Sequence, residues 1–228
     1  MNPLLQLGLS LRSQGLWATA NKLRGWALDH LYDLRYGLDT CANSELAELT
    51  IGSENKVRGY GYQPTRVLLL RKFFHSIRPL LPPNGVLVDF GSGKGRMLLV
   101  ASEFGFREAR GVEFAHELCE TARKNVARYK ARAGVAAEFK IIESDAACYA
   151  IAADENVFMM YNPFDESILG QVLDNIAASL RKAPRRILII YVNPRWGRVI
   201  EQRADFVLVR EWVLWGFKFA VYSSRAPS

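Results

Sequence analysis

Asp89, Gly91, Gly93 and Gly95 stand at alternate positions in "VLVDFGSGKGRM", where a short apolar run ends in the acid. Glycines so spaced leave backbone bare, and a ligand can lie against it where a Cβ would stand in the way. Further on, Glu113 closes the run "ARGVE" and Asp145 follows "EFKIIES". A carboxylate about twenty residues past a glycine turn can accept hydrogen bonds from ribose hydroxyls. Either acid could instead be structural, Asp145 capping a loop and Glu113 lying on the surface before a helix. Two phosphate-binding patterns fail at this turn. A P-loop needs G-x-x-x-x-G-K-[ST], and a dinucleotide turn needs G-x-G-x-x-G. Here Lys94 is followed by Gly95, and Arg96 occupies the position of the third dinucleotide glycine.

Tyr161, Asn162, Pro163 and Phe164 follow the apolar run "NVFMM", with Asp165 just beyond. Asp165 is the nearest base for a hydroxyl nucleophile, or else the N-cap of the next helix. Asn193 and Trp196, in "YVNPRW", could face a substrate or simply shape a turn. Lys94 and Arg96 read as solvent-facing or paired with acids at a helix start, without a catalytic role. His75 and His116 have no Cys or carboxylate cluster around them, so no metal site is expected. Cys41, Cys119 and Cys148 lack paired or metal-ligand spacing and read as reduced thiols of a cytoplasmic protein.

These residues must be held by an alternation of two kinds of segment. "TRVLLLRKFFHSIR" is helical with Thr65 as its N-cap, and "RPLLPPNG" is a loop. Then "GVLVDF", "ARGVEF", "AEFKIIESD", "NVFMMYNPF" and "RRILIIYVNP" read as strands, with amphipathic helices between them. In the helix starting at "ESILGQV", Ile168, Leu169, Val172, Leu173, Ile176 and Leu180 make the buried stripe. Apolar strands separated by helices imply a parallel sheet covered on both faces. The tail "ADFVLVREWVLWGFKFAVYSS" holds two strand-like runs around "WG", hence an antiparallel hairpin at the sheet edge. The fold expected is α/β: a doubly wound, mostly parallel seven-stranded sheet with an antiparallel C-terminal hairpin and an N-terminal helical appendage. Ligands of such sheets bind at the carboxyl ends of the strands, which places the glycine turn at the site.

The 228 residues are 50% hydrophobic, enough for one substantial core, and divide softly into an appendage (1–58) and a main domain (59–228). The net charge of +7 is spread along the chain and forms no basic tail. The N-terminal stretch has no basic leader region and no unbroken apolar span, so neither a signal peptide nor a membrane-crossing helix is expected. Its helical spacing puts Leu16, Ala20, Leu23, Ala27, Leu31 and Leu34 on one face, away from Arg12, Lys22, Arg24 and Asp29. That face would cover the main domain. Trp17 and Trp26 keep open a helix lying on a membrane or on a partner protein.

With Asp89, Gly91, Gly93 and Gly95 as D-x-G-x-G-x-G, Glu113 in "GVEF" and Asp145 in "ESDAA", residues 60 to 225 resemble the class I methyltransferases that use S-adenosylmethionine. The resemblance implies that Asp89, Gly91, Ser92, Gly93 and Gly95 carry the methionine and ribose part of that cofactor. It implies a ribose contact at Glu113, an apolar border of adenine at Phe114, and an adenine contact at Asp145 beside Ala146. Asn162-Pro163-Phe164 partly matches the Asn-Pro-Pro-aromatic motif of amino methyltransferases, with one proline missing. There the Asn oxygen and the next carbonyl accept hydrogen bonds from the target nitrogen. "GSGKGR" and "GVE" are also similar to the non-SET protein lysine methyltransferases of this fold. Tyr161, Asn162, Pro163 and Asp165 are thus the candidate catalytic residues, and Tyr62 and Thr65 in "YGYQPT" are candidates for a cover over the methionine end. The resemblance implies methyl transfer to an acceptor the sequence does not name: protein lysine or another amine first, a small molecule or sugar hydroxyl second, nucleic acid third. A silent cofactor-binding module, or an interaction protein at a membrane surface, are readings of another class.

Overall fold

Stiff β-branched and aliphatic runs become strands, and the amphipathic stretches become helices, in a computed structural model that describes residues 23–225. The helices are α1 (residues 23–36), α2 (Val67–Ile77), α3 (Arg96–Ala101), α4 (His116–Ala133), α5 (Glu166–Lys182) and α6 (Gly197–Glu201). The strands are β1 (Val86–Phe90), β2 (Glu108–Glu113), β3 (Glu138–Glu143), β4 (Val157–Met160), β5 (Leu188–Val192), β6 (Phe206–Leu214) and β7 (Phe217–Ser224). They form one seven-stranded sheet in the order β3-β2-β1-β4-β5-β7-β6. β1 to β5 run parallel, and β7 lies antiparallel between β5 and β6. This is the doubly wound arrangement expected, with the hairpin at the edge. Its tip has Trp215 at φ 52° and Gly216 at φ 81°, the two positive values that a tight hairpin between right-twisted strands needs.

Alternation along β1 sends Leu87 to one face and Val88 and Phe90 to the other, so the sheet builds two cores. Leu69, Leu70, Phe73 and Phe74 of α2 fill the first, with Leu98 and Leu99 of α3. The α5 stripe fills the second: Ile168, Leu169, Val172, Leu173 and Ile176 are buried against Phe90 and Phe158, and Leu180 is half-buried. Each such side chain contributes about 2 kcal/mol by leaving water. β1, β2, β4 and β5 are buried along their whole length, but β3 alternates between half-buried and exposed because it is an edge. The reversal of strand order between β1 and β4 opens a crevice at their carboxyl ends, where the glycine turn lies.

The N-terminal region departs from expectation. Leu16 and Ala20 lie outside the described residues, and Leu23, Ala27, Leu31 and Leu34 are exposed. The face of α1 that packs inward carries Asp29, Tyr32, Asp33 and the half-buried Tyr36. The reason is Arg96. The sequence reads it as solvent-facing or paired with acids at the helix start; it is 2% exposed, and the acids it pairs with come from α1. Its guanidinium lies 3.6 Å from Asp29 and 3.7 Å from Asp33, and donates to Thr40 Oγ1 at 2.7 Å and to the Thr65 carbonyl at 3.1 Å. Thr40 Oγ1 in turn donates to Asp33 at 2.6 Å. Lys94, read with the same two alternatives, is buried and pairs with Asp39 at 3.2 Å. Thr65 is not the cap of α2 either: that helix begins at Val67, whose N–H donates to Asp29 Oδ1 of α1 at 2.9 Å. An uncompensated buried charge is costly, so electrostatics outweighs apolar periodicity in choosing which face of α1 turns inward.

Arg96→Leu leaves Asp29 and Asp33 without their cation and should destabilise the chain by about 3 kcal/mol. Urea unfolding measures this, and the extra carboxylate burden should make the loss larger at neutral than at acidic pH.

Candidate active site

The turn after β1 shows why its glycines are needed. Gly91, Gly93 and Gly95 have φ of 73°, 54° and 84°, a region that costs other residues strain. A Cβ on Gly91 would lie 2.5 Å from Pro163 Cβ, and one on Gly93 would lie 2.1 Å from the Tyr62 ring. The turn is fastened from β2: Glu113 accepts from Gly93 N at 2.9 Å through one carboxylate oxygen. Its other oxygen accepts from Phe114 N at 2.9 Å and Ala115 N at 3.0 Å.

Above this turn lies a cleft of about 350 Å³. Its floor includes Asp89, Gly91, Ser92, Gly93 and Glu113; Tyr62, Thr65 and Phe114 form walls; Tyr161, Asn162 and Pro163 close another side. The structure thus brings most of the sequence-derived candidates to one cavity. A smaller cavity continues past Gly91, Phe114 and Pro163 to Asp145 and Ala146. Gly95 lines neither, and supports the turn by starting α3 and packing near Ala122.

Asp89 and Glu113 are acids buried side by side. Burial, and then the neighbouring Glu113 charge, push the Asp89 carboxyl well above its ordinary 3.8. Burial raises Glu113 as well, partly countered by its backbone donors. The only cation lining the cleft among the described residues, Arg96, is already engaged by Asp29 and Asp33. A cation with hydroxyl donors would answer this charge, and a polyanion would not. Ser92 Oγ is buried without a partner among the described residues, a further polar atom available to a ligand.

Other candidates are already occupied or lie elsewhere. Asp145 accepts from Ser53 Oγ at 2.5 Å, Asn55 Nδ2 at 2.7 Å and Ala147 N at 2.9 Å, so it caps its own loop as well as facing the small cavity. These hydrogen bonds outweigh its burial and hold its carboxyl below the ordinary value. Asp165 caps α5, accepting from Ser167 N and Ile168 N at 3.1 Å, and pairs with Arg58 at 3.5 Å. It does not line the cleft. Asn162 does, held at φ 46° with Oδ1 accepting from Tyr191 OH at 3.0 Å. Asn193 stands behind the cleft, donating to Tyr161 OH at 3.2 Å, while Trp196 faces a separate surface hollow.

Of the segment between α1 and α2, sequence reasoning found Tyr62 and Thr65 in "YGYQPT" and missed the earlier part, residues 43–45 and the stretch around Ser53 and Asn55. Residues 43–45 and 60–65 line the cleft, Ser44 bridges to Tyr62, and Gly59 bridges to Phe164. Tyr62 OH donates to the Thr40 carbonyl at 2.9 Å, which fixes its ring over Gly93. Ser53 and Asn55 meet Asp145 across some ninety positions of sequence, a pairing with no local signal.

No protein-family profile and no curated protein matches the sequence. Solved structures do resemble the fold. YhhF of Escherichia coli, a protein assigned to the methyltransferases, superposes with a TM-score of 0.56 at 18% identity over 70% of this chain and 88% of that one. An RNA methyltransferase of Salinibacter ruber, crystallised with S-adenosyl-L-homocysteine, has a TM-score of 0.51 at 23% identity over 73% and 95%. Protein 1320 of Thermoplasma acidophilum has a TM-score of 0.51 at 15% identity and covers 88% of this chain and 98% of its own.

The acid pair sets a pH dependence. A carboxyl raised in the folded state binds its proton there more tightly than in the unfolded chain, so stability falls as pH rises from the ordinary carboxylate value through the raised one. Asp89→Asn removes that loss. Relative to the natural chain, its urea midpoint should shift upward as pH is raised from acid to neutral; a pH-independent difference would contradict this assignment.

Proposed function

On the class I, Rossmann-like methyltransferase fold that this chain has, we propose that it is an S-adenosylmethionine-dependent methyltransferase acting on a nitrogen acceptor. The observation that carries this is the cleft itself: bare backbone at Gly91 and Gly93 beside two buried carboxylates, with no free cation among the described lining residues. S-adenosylmethionine supplies, when bound, a methyl group on a cationic sulfur for in-line displacement. Asp89 and Glu113 offer the negative charge and hydroxyl acceptors that such a cation with a ribose requires. Phe114 and Ala146 offer apolar contact for its base, toward Asp145. Tyr62 covers the turn and, with Thr65, walls the cleft from solvent. Holding the reacting atoms in line and dry supplies several kcal/mol of such a barrier.

Nitrogen is favoured over oxygen by what stands at the cleft mouth. A hydroxyl needs a base at the moment of attack, whereas an ammonium group can give its proton to solvent beforehand and then attack through the free lone pair of the amine. No histidine lines the cleft among the described residues, and Asp165 is engaged in capping α5. Asn162 presents an amide oxygen held in place by Tyr191, beside Tyr161 and Pro163. Glu45, at the rim, adds an acid suited to an amine on a lysine side chain. The free Cys41, Cys119 and Cys148 support a cytoplasmic setting.

Calorimetry of the full chain with S-adenosylhomocysteine should show one site, with binding weakened at least about tenfold by Gly93→Val, where a side chain meets Tyr62, and by Glu113→Ala. No binding by the natural chain would refute the cofactor assignment. Incubation of labelled S-adenosylmethionine with fractionated lysate should place acid-stable label on protein amines. Label on RNA or on an alkali-labile oxygen ester would overturn the proposed acceptor. Asn162→Gly keeps the left-handed backbone and removes the amide; kcat should fall about a hundredfold while homocysteine-cofactor affinity stays within a factor of about two.

A further inference from the structure

The outward face of α1 carries an apolar stripe, interrupted by the exposed His30, whose ring packs 4.2 Å from that of Trp26. Leu23 is 42% exposed, Trp26 62%, Leu31 57% and Leu34 76%, while the acids Asp29 and Asp33 point inward. At 100° per residue these four side chains fall on one stripe with Ala27, opposite the Tyr32 and Tyr36 face. Apolar side chains in a row on a surface helix mark a contact with something else.

The charge around the stripe identifies that partner. Arg24 and Arg35 are exposed along one border of it. Arg132 packs against Gly37 just past the C-terminal end of α1, whereas Arg66 lies against Gly25 on the side of the helix away from the stripe. Arg128 donates to the Gly37 carbonyl at 3.0 Å. None of these arginines lies within 4.0 Å of a carboxylate among the described residues. The two acids of α1 that could have balanced them are turned to Arg96. No helix among the described residues is long and apolar enough to cross a bilayer, and a leucine and tryptophan stripe edged by arginines has the composition of a helix that lies in a lipid interface.

We propose that α1 docks this protein onto an anionic lipid surface, with Leu23, Trp26, Leu31 and Leu34 in the headgroup boundary and the surrounding arginines on lipid phosphates. The cleft belongs to other elements and keeps its own opening, so docking and cofactor binding are separable.

The test is sedimentation of the full chain with vesicles of phosphatidylcholine alone and of phosphatidylcholine containing phosphatidylglycerol. The chain should pellet with the second and not the first, and added salt should release it. Leu31→Glu with Leu34→Glu changes only exposed side chains and should reduce pelleting at least about tenfold without lowering the melting temperature. Should that variant misfold, Arg128→Glu with Arg132→Glu provides the same reading from the charged border. Equal pelleting of natural and variant chains would overturn the proposal, as would pelleting indifferent to phosphatidylglycerol. A natural chain that is dimeric by light scattering and made monomeric by Leu31→Glu with Leu34→Glu would overturn it too, because a second copy would then cover the face. Retention by RNA in place of vesicles, lost on Arg128→Glu with Arg132→Glu, would also count against it.

Discussion

The buried guanidinium of Arg96 is the joint on which the site depends. It stands at the first position of α3, directly after the glycine turn, yet its partners Asp29, Asp33 and Thr40 belong to the N-terminal region. A charge buried there must be matched on several sides, and that requirement draws α1 and the segment after it onto the sheet. Thr40 then holds Tyr62 through its carbonyl, and Tyr62 covers Gly93. Asp29 caps α2 from the same anchor. The turn is therefore gripped from two directions, by Glu113 from the sheet and by Arg96 from the appendage, and rigid support of this kind is what keeps a site in a single geometry.

The cleft combines two opposed tendencies. Glycines admit a ligand to the backbone, and the residues that crowd the empty Cβ positions, Tyr62 and Pro163, narrow what can enter. Asp89 and Glu113 are held where their charges are poorly solvated, which raises their proton affinity and makes the cavity receptive to a cation. Such perturbed acids concentrate at working sites because the charge a ligand brings is what compensates them.

The strands, their mostly parallel sheet, the edge hairpin and the glycine turn were legible in the sequence because they rest on local rules. Those are a period of two or of 3.6, turn chemistry at "WG", and an acid at a strand end. Most site candidates were legible for the same reason, since in a parallel sheet every strand delivers its next loop to the same edge. Three assignments failed where distance in sequence hid the partner. Thr65 lost its capping role to Asp29, Arg96 and Lys94 proved buried, and Leu31 and Leu34 proved exposed. In each case the deciding group lay far along the chain, and nothing local could announce it.

By itself, then, the sequence determined the sheet, the edge of it at which the cleft opens, and the bare turn between Asp89 and Arg96, all consequences of local stereochemistry and periodicity. Only the tertiary structure decided which face of α1 turns inward, what closes the cleft, and which of its acids meet no cation among the described residues. Those depend on how buried charges find each other across the fold, and the energy of an unmatched charge exceeds that of an exposed leucine.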